Sequence, residues 1–143
     1  MYLIDTNVLS EIRKAERANP GVRDFFRRVI SDDADLYLSV VTVGELRRGL
    51  ELIRHRGDVA QAELLERWLR EVLEEFAARI LPVDSDIAQV WGRLRAPHAQ
   101  HPLDKLIAAT GLIHDLTVVT QNEADFMGCG VRLLNPFSPG MKA

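Results

Sequence analysis

Acidic and amide side chains follow two short apolar runs of this chain, at the point where each run ends. Asp5 comes directly after residues 1–4, and Asn122 and Asp125 come shortly after residues 116–120. Runs of this length and composition predict buried strands that end at the polar residue. Parallel sheets bring the carboxyl ends of their strands to one edge, where ligands bind. We therefore expect these side chains to lie near one another.

Two further carboxylates fall in the first turn of predicted helices. Glu45 belongs to a helix that opens at Thr42, after a predicted strand at 36–41, and Asp104 belongs to a helix that starts at Pro102. In a parallel sheet, the amino ends of such helices share an edge with the carboxyl ends of the strands. Four separate segments thus bring acid or amide groups to one rim, provided that the sheet is parallel.

Several carboxylates at one rim repel each other, and some take up protons unless a cation compensates their charge. Oxygen ligands favour Mg²⁺ or Mn²⁺ over zinc, and the sequence shows no cluster of Cys and His that would compete. A divalent cation held by carboxylates binds a phosphodiester oxygen and activates a water for in-line attack on phosphorus. The pattern is therefore typical of metal-dependent phosphodiester hydrolysis.

Length, charge and cysteine content limit the classes of fold and function that this sequence can have. The chain of 143 residues predicts one domain, 1–143, with a substantial core. Its net charge of −3 supplies no general attraction to nucleic acid, so metal ions or a local basic patch must meet a polyanion. The single cysteine, Cys129, excludes an internal disulfide and favours a cytoplasmic location. We expect no signal peptide and no membrane span, because the apolar runs are too short.

The elements that position the acids alternate between strand and helix. Asn19 and Asp58 are predicted N-caps, as is Asp84 or Ser85. The predicted strands are 1–4, 36–41, 80–83, 116–120 and 131–134, and the predicted helices are 6–14, 20–30, 42–57, 58–78, 85–96 and one from 102 onward. This alternation predicts an α/β fold with a mainly parallel sheet of four to five strands and helices on both faces. The tail at 135–143 is expected to be loosely structured.

Each candidate residue also has a purely structural interpretation. Thr42 and Glu45 match a capping box, in which the Glu reaches back to the N–H of the cap residue. Asp104 at a helix start is favoured by the helix dipole without any function. Asn122 and Asp125 are common turn residues. The acid after the first strand is harder to explain in this way, because a partly desolvated carboxylate needs a partner.

Histidines and arginines contribute less to the prediction. The four histidines lack ligand spacing and are expected at the surface or in loops; they are His55, His98, His101 and His114. Most arginines are interpreted as part of solvated helix faces, but Arg47 and Arg48 share a helix with Glu45 and are candidates for contact with a phosphate backbone.

Taken together, four stretches of the sequence resemble the PIN-domain ribonucleases, and most closely the VapC-type toxins of toxin–antitoxin pairs. The stretches are YLIDTNVLSE at 2–11, SVVTVGELRRG at 39–49, LDKLIAATGLIHDLTVVTQNEADF at 103–126 and VRLLNPF at 131–137. The resemblance covers nearly the whole chain in order. It implies a three-layer α/β/α fold and a metal-dependent endoribonuclease that uses Mg²⁺, with Mn²⁺ as a substitute.

The resemblance also implies roles for individual residues. Asp5, Glu45 and Asp104 match the three acids that gather the metal in the family. The fourth position falls on Asn122, with an acid three residues later at Asp125, so the sequence leaves the fourth ligand open between these two.

Polar positions that support the acids in the family match Thr6, Ser39 and Thr120, and Asn7 completes the D-T-N motif. Three residues depart from the family pattern. Gln121 stands where arginine is common. Gly111 stands where alanine is usual, at a mild cost in helix propensity. Lys105 beside the third acid is unusual and is a candidate for contact with substrate phosphate.

The family further implies an RNA substrate, a cognate antitoxin that inserts a segment into the acidic site, and a homodimer. Two other functions remain open. A metal-dependent phosphatase or phospho-acceptor domain also gathers acids at this edge, but here Thr6 and Asn7 follow Asp5 where such domains have a second acid. A non-catalytic RNA- or protein-binding module is disfavoured by the three retained acids. Labelling with a phospho-donor and titration with Mn²⁺ discriminate these functions from a nuclease.

Overall fold

The structure, a computed structural model, describes residues 1–137 and contains one parallel sheet in that range. The strand order is β3-β2-β1-β4-β5, and all four neighbouring pairs are parallel. The strands are β1 (Tyr2–Ile4), β2 (Leu36–Ser39), β3 (Ile80–Leu81), β4 (Thr117–Val119) and β5 (Leu133–Leu134). The predicted α/β class and the predicted number of strands are confirmed.

Six α-helices connect the strands within residues 1–137. They are α1 (Thr6–Ile12), α2 (Pro20–Ser31), α3 (Val40–His55), α4 (Val59–Glu75), α5 (Ser85–Arg95) and α6 (Pro102–His114). Side chains of Asn19, Asp58 and Asp84 accept hydrogen bonds from backbone N–H groups at the starts of α2, α4 and α5, as their types predict. None of the helices in this range is both long and apolar enough to span a membrane.

Helices cover both faces of the sheet, and successive strand residues point to opposite faces. On one face, Ile4 and Val119 pack in a core with Phe25 of α2 and residues of α1, α3 and α4. On the other face, Leu3 and Val118 pack in a second core with residues of α6, and a residue of α5 packs against it. The three-layer arrangement therefore follows from the alternation of buried side chains along β1 and β4.

The strand order reverses at β1. The chain proceeds from β1 through β2 to β3 on one side, and β4 and β5 then fill the other side of β1. In open α/β sheets, ligands bind in the crevice at the carboxyl ends of the strands where the order reverses. Asp5 follows β1 and Thr120 follows β4, so both lie at this crevice.

The start of α3 corrects the sequence analysis. The predicted strand 36–41 ends at Ser39, and α3 begins at Val40 rather than at Thr42. The Ser39 hydroxyl accepts from the Val41 N–H at 3.0 Å and is the N-cap. The capping box of Thr42 and Glu45 is therefore wrong. The two β-branched valines favour a strand by propensity, but the serine cap favours a helix start, and the cap prevails.

Gly111 on α6 has a structural cause that helix propensity misses. A Cβ at this position would lie 2.9 Å from a methyl of Val131 and 3.0 Å from a methyl of Val118. Glycine therefore lets α6 approach the sheet closely, so alanine is expected to strain this contact rather than stabilise the helix. Of the predicted tail 135–143, the structure describes only 135–137, and the rest lies outside the described residues.

Candidate active site

Asp5 is a buried carboxylate held by hydrogen bonds to both of its oxygens. It ends β1 and caps α1, and its side chain is nearly inaccessible, with 2% of the residue exposed. Its Oδ1 accepts from the Thr6 N–H at 2.8 Å. Its Oδ2 accepts from the Thr120 hydroxyl at 2.8 Å and from the Asn7 amide at 3.2 Å. The carboxylate is therefore fixed in orientation before any ligand binds.

The D-T-N motif joins three segments of the chain at this point. The Thr6 hydroxyl donates to Glu45 Oε1 at 2.6 Å, so a single residue contacts two of the acids. The Asn7 side chain donates to Thr120 Oγ1 at 3.3 Å and accepts from the Gln121 N–H at 3.0 Å. Thr6 thus ties α1 to α3, while Asn7 ties α1 to the loop after β4.

Burial sets the protonation equilibrium of Asp5. Desolvation raises the pKa of this carboxyl, and the negative charge of Glu45 raises it further. The hydrogen bonds from Thr120, Thr6 and Asn7 act in the opposite direction because they stabilise the ionised form, but the net direction is upward. Burial thus disfavours the ionised form of Asp5, whereas the hydrogen bonds that fix its orientation favour that form.

Asp104 is a second rim carboxyl with a raised pKa, and every cause that acts on it works in the same direction. It lies in the first turn of α6 and is half-buried. Desolvation, the charges of Asp5 and Asp125, a hydrogen bond with Asp125 and the charge of Glu45 together raise the pKa of Asp104 to about 7. The carboxylates at 5, 45, 104 and 125 therefore form one electrostatic unit, which we name the acidic rim. Glu45 belongs to the rim although it lies in the second turn of α3, not in the first turn as predicted.

Asn122 and Asp125 occupy different places in the loop after β4. Asn122 is exposed and precedes the 3₁₀ turn Glu123–Phe126, and its N–H donates to Thr120 Oγ1 at 3.0 Å. Asp125 is only partly exposed, and its carboxyl interacts with Asp104. Of the two candidates for the fourth ligand, Asp125 is the one whose carboxyl interacts with another rim acid.

His101 is a member of this neighbourhood that the sequence analysis did not identify. Its Nε2 lies 3.2 Å from Asp125 Oδ1, and the ligand atoms of His101, Asp104 and Asp125 all lie within 4.8 Å of one another. His101 is exposed at the surface, as expected, but the fold brings its side chain close to two rim acids. No local pattern marks it, because His101 is the N-cap residue of α6 in a left-handed conformation and its partner Asp125 is distant in the sequence.

Two predicted polar contacts have different roles in the structure. Ser39 is fully buried and caps α3, so its hydroxyl places Glu45 through the helix and not by direct contact. Lys105 is also buried, and its Nζ donates to the main-chain carbonyl of Asp125 at 2.6 Å. In this conformation Lys105 therefore supports the loop that carries Asp125, and its contact with a substrate phosphate stays a prediction.

Arg47 is likewise engaged within the protein. Its guanidinium forms two hydrogen bonds of 2.9 Å with the carboxylate of Glu66 on α4 and one of 3.1 Å with Glu51. Arg54 contacts the same two glutamates. We name these four residues the arginine–glutamate network. Arg48 is exposed and lines a shallow depression of the surface with Leu52 and His55 of α3.

Comparison with known proteins assigns the family. The model of the PIN domain matches residues 2–126. The chain belongs to the PIN-domain family. Toxin FitB from Neisseria gonorrhoeae is 35% identical over 142 residues, which cover 96% of this chain and 99% of FitB. VapC ribonuclease Y4jK from Sinorhizobium fredii is 34% identical over an alignment of 146 positions, and the alignment covers 97% of this chain and 99% of Y4jK. The crystal structure of FitAcB from Neisseria gonorrhoeae is similar with a TM-score of 0.83 and 34% identity, covering 96% of this chain and 99% of that chain.

The donor set of this PIN domain fits a divalent cation. The rim offers carboxylate oxygens from four segments of the chain, which are the ligands of hard cations. Within residues 1–137, no Lys or Arg forms an ion pair with Asp5, Glu45 or Asp104. Desolvation and the neighbouring negative charges, which no such pair offsets, raise the pKa of Asp104.

Proposed function

We propose that this PIN domain is a metal-dependent endoribonuclease that hydrolyses RNA phosphodiester bonds, and that it is the toxin of a type II toxin–antitoxin pair. The observation that carries the proposal is the acidic rim, in which Asp5, Glu45 and Asp104 have no Lys or Arg partner within residues 1–137 and lie at the edge where the strand order reverses. The family and the names of the relatives FitB and Y4jK, a toxin and a ribonuclease, support it.

The proposed cofactor is Mg²⁺, with Mn²⁺ as a substitute. Asp5, Glu45 and Asp104 would hold it, and Asp125 rather than Asn122 is the proposed fourth ligand because its carboxyl interacts with Asp104. When bound, such a cation polarises the phosphodiester, activates water and neutralises developing charge. The protein's own contribution is to position the ligands, since hydrogen bonds from Thr6, Asn7 and Thr120 fix the orientation of both oxygens of Asp5.

The proposed chemistry determines the products. Water attacks phosphorus, and the 3′-oxygen of the preceding nucleotide leaves. The downstream fragment then carries a 5′-phosphate, and the 2′-hydroxyl next to the cleaved bond is not consumed. End labelling of the fragments distinguishes this outcome from the 2′,3′-cyclic phosphate of metal-independent ribonucleases.

A cleft beside the rim fits the proposed antitoxin. It has a volume of about 280 Å³ and runs between α1, α3 and α4. Thr6 and Glu45 line it at the rim, and its other lining residues include Leu46 and Trp68. Arg13 also lines the cleft, so an antitoxin segment with apolar side chains and a basic side chain directed at Glu45, away from Arg13, would match its walls and charges. We also propose a homodimer, since α4 keeps Val59 and Leu64 exposed.

The extent and location of the protein are part of the proposal. The family model ends at 126, but β5 at Leu133–Leu134 pairs with β4 and completes the sheet. We therefore propose that 1–143 is a single PIN domain. A cytoplasmic location is proposed because RNA and the antitoxin are met there, and the buried free thiol of Cys129 is compatible with it.

The test is Asp5→Ala, assayed for RNA cleavage with Mg²⁺. We expect at least about a hundredfold loss of rate with an unchanged circular dichroism spectrum, because one positioned group in a preorganised electrostatic site contributes on this scale. Glu63→Ala, which changes an exposed glutamate on α4, is the matched control and is expected to cleave normally. A folded Asp5→Ala protein that cleaves RNA at the wild-type rate contradicts the proposed function.

A further inference from the structure

Lys105 is a charged residue of α6 that lies inside the protein. Only 4% of it is exposed, and within residues 1–137 its ammonium group forms no ion pair with an acid. Its Nζ donates a hydrogen bond of 2.6 Å to the main-chain carbonyl of Asp125. Lysine is seldom buried without a charged partner, because removing an ammonium group from water costs free energy. The contact with Asp125 therefore points to a role that packing alone does not explain.

The ammonium group of Lys105 does not compensate the charge of the acidic rim. Asp104 and Lys105 are neighbours in α6, but successive residues of a helix are turned by about 100°, so their side chains leave the helix in different directions. The charge of Lys105 is not among the causes that shift the pKa of Asp104. Burial raises the pKa of the Cys129 thiol, and the charge of Lys105 acts in the opposite direction, which places the ammonium group near Cys129. Lys105 therefore acts on the backbone of the loop after β4.

The contact attaches the loop that carries Asp125 to the helix that carries Asp104. The loop forms the 3₁₀ turn Glu123–Phe126. Phe126 is buried in the core that α6 forms on one face of the sheet, and Lys105 holds the preceding residue by its backbone. The carboxyls of Asp104 and Asp125 interact with each other, so the attachment of this turn to α6 decides how the two acids meet.

We propose that Lys105 is a positioning residue for the metal ligands, because its ammonium group holds the Asp125 carbonyl and thereby keeps the Asp125 carboxyl beside Asp104. Groups that orient metal ligands commonly change metal affinity by about ten- to a hundredfold when they are removed. Lys105 acts in this way through the main chain of a ligand residue and not through its charge at the rim. The inference rests on the proposed function in that Asp125 is the fourth ligand.

The test is Lys105→Met, with Mn²⁺ affinity of the metal-free full chain measured by isothermal titration calorimetry. Methionine has a similar length and no charge, and replacing a buried charge by an apolar side chain of similar volume is often neutral for stability. We expect Mn²⁺ to bind about tenfold more weakly. RNA cleavage should then need more Mg²⁺ but return to the wild-type kcat at saturating Mg²⁺, and the KM for RNA should stay unchanged.

A double-mutant cycle shows whether Lys105 acts through Asp125. Asp125→Asn is expected to weaken Mn²⁺ binding by at least as much as Lys105→Met, because it removes the ligand itself. Adding Lys105→Met to Asp125→Asn should then cost little further affinity, since the position of residue 125 no longer affects the cation.

Two control variants separate this role from charge and from stability. Lys14→Met makes the same substitution at an exposed lysine and is expected to keep the wild-type Mn²⁺ affinity. Val29→Ala shortens a buried side chain in the core on the other face of the sheet, so it is expected to lower stability and to keep the affinity as well. A loss of affinity in Val29→Ala equal to that in Lys105→Met would mean that the effect of Lys105 is one of stability alone.

Three results overturn the proposal. The first is wild-type Mn²⁺ affinity in folded Lys105→Met, and the second is a full further loss when this change is added to Asp125→Asn. The third is a raised KM for RNA with unchanged Mn²⁺ affinity, which would show that Lys105 contacts the substrate phosphate. Lys105→Gln shortens the side chain and also removes the charge; it is expected to weaken Mn²⁺ binding in the same direction and keeps the test in place if Lys105→Met does not fold.

The outcomes separate this inference from the proposed function. RNA cleavage by the wild type, together with an unchanged Mn²⁺ affinity in Lys105→Met, leaves the nuclease in place and overturns the positioning role. Conversely, weaker Mn²⁺ binding in Lys105→Met that depends on Asp125, without RNA cleavage by the wild type, would support the positioning role and contradict the nuclease. A wild type that binds no Mn²⁺ would overturn the positioning role and the proposed cation site together.

Discussion

Helix α3 contributes to two groups of charged side chains. In one group opposite charges are paired, and in the other like charges lie near one another. The acidic rim includes Glu45, and the arginine–glutamate network includes Arg47, only two residues further along the helix. In the network, each glutamate contacts two guanidinium groups. In the rim, Asp5 and Asp104 face other carboxylates. Helix α3 thus contributes to one cluster whose charges are paired within the protein and to one cluster whose carboxylates lie next to other carboxylates.

The pKa shifts express this difference. Hydrogen bonds from Arg47 and Arg54 lower the pKa of Glu66 to about 2, and their hydrogen bonds also lower the pKa of Glu51. Desolvation and neighbouring negative charge raise the pKa of Asp104 to about 7. The same protein thus pairs some carboxylates with arginines and leaves others next to further carboxylates. We therefore expect an external cation to bind at the rim and the network to serve structure.

The largest expected effect separates the two regions by activity. Asp104→Asn removes a rim carboxylate of the proposed cation site, so we expect RNA cleavage to fall by at least about a hundredfold. Glu66→Gln removes a network carboxylate of the same charge and is expected to leave the cleavage rate within about twofold of wild type. Cleavage rates of the two folded variants with Mg²⁺ are the measurement. Equal losses in both would erase the distinction between rim and network.

The next effect concerns pH and metal. A carboxyl with a folded-state pKa of about 7 and an unfolded value of about 3.9 binds more protons in the folded state, so its contribution to stability falls as the pH rises through this interval. Metal-free wild type is therefore expected to be less stable at about pH 8 than Asp104→Asn, and the difference should shrink at about pH 5.

Urea denaturation at both pH values measures this difference, with and without Mg²⁺. Because the cation binds the folded state, Mg²⁺ is expected to raise the denaturation midpoint of wild type at the higher pH and to have little effect on Asp104→Asn. A midpoint of wild type that rises between the two pH values without metal, in parallel with that of Asp104→Asn, would show that the rim carries no unfavourable charge.

The sequence predicts the rim better than it predicts its surroundings. Asp5 was identifiable because it follows an apolar run directly, and Asp104 because Pro102 starts a helix, so each position rests on local pattern alone. The N-cap role of Ser39 was less visible, since the two valines after it have the composition of a strand. The rim could thus be predicted, but the start of α3, the helix that carries Glu45, was predicted at Thr42 instead of Val40.

Long-range contacts explain what the sequence could not show. Lys105 is charged and lies beside a predicted catalytic acid, but its contact with the Asp125 carbonyl joins residues 20 positions apart. His101 meets Asp125 over a similar separation. Arg47 meets Glu66 through the packing of α3 against α4. Local periodicity carries no information about such pairings, so these roles appear only once the helices are packed.

A smaller effect tests the start of the helix that the two regions share. Ser39→Ala removes the N-cap of α3 and is expected to lower the free energy of unfolding by about 1 kcal/mol. Thr42→Val replaces a buried hydroxyl that has no hydrogen-bond partner within the described residues, so it is expected to be neutral or slightly stabilising. Urea denaturation of both variants is the measurement. The reverse order of effects would restore Thr42 as the cap.

The smallest expected effect tests the network. The Arg47 side chain is 42% exposed, and exposed ion pairs are weakened by solvent screening. Arg47→Gln is therefore expected to lower the denaturation midpoint only slightly, and the difference from wild type should shrink at high salt because ions screen the pairs that it removes. The RNA cleavage rate should stay unchanged. A tenfold fall in cleavage without a loss of stability would mean that Arg47 leaves Glu66 to contact the RNA backbone, and the network would then serve the rim instead of only joining α3 to α4.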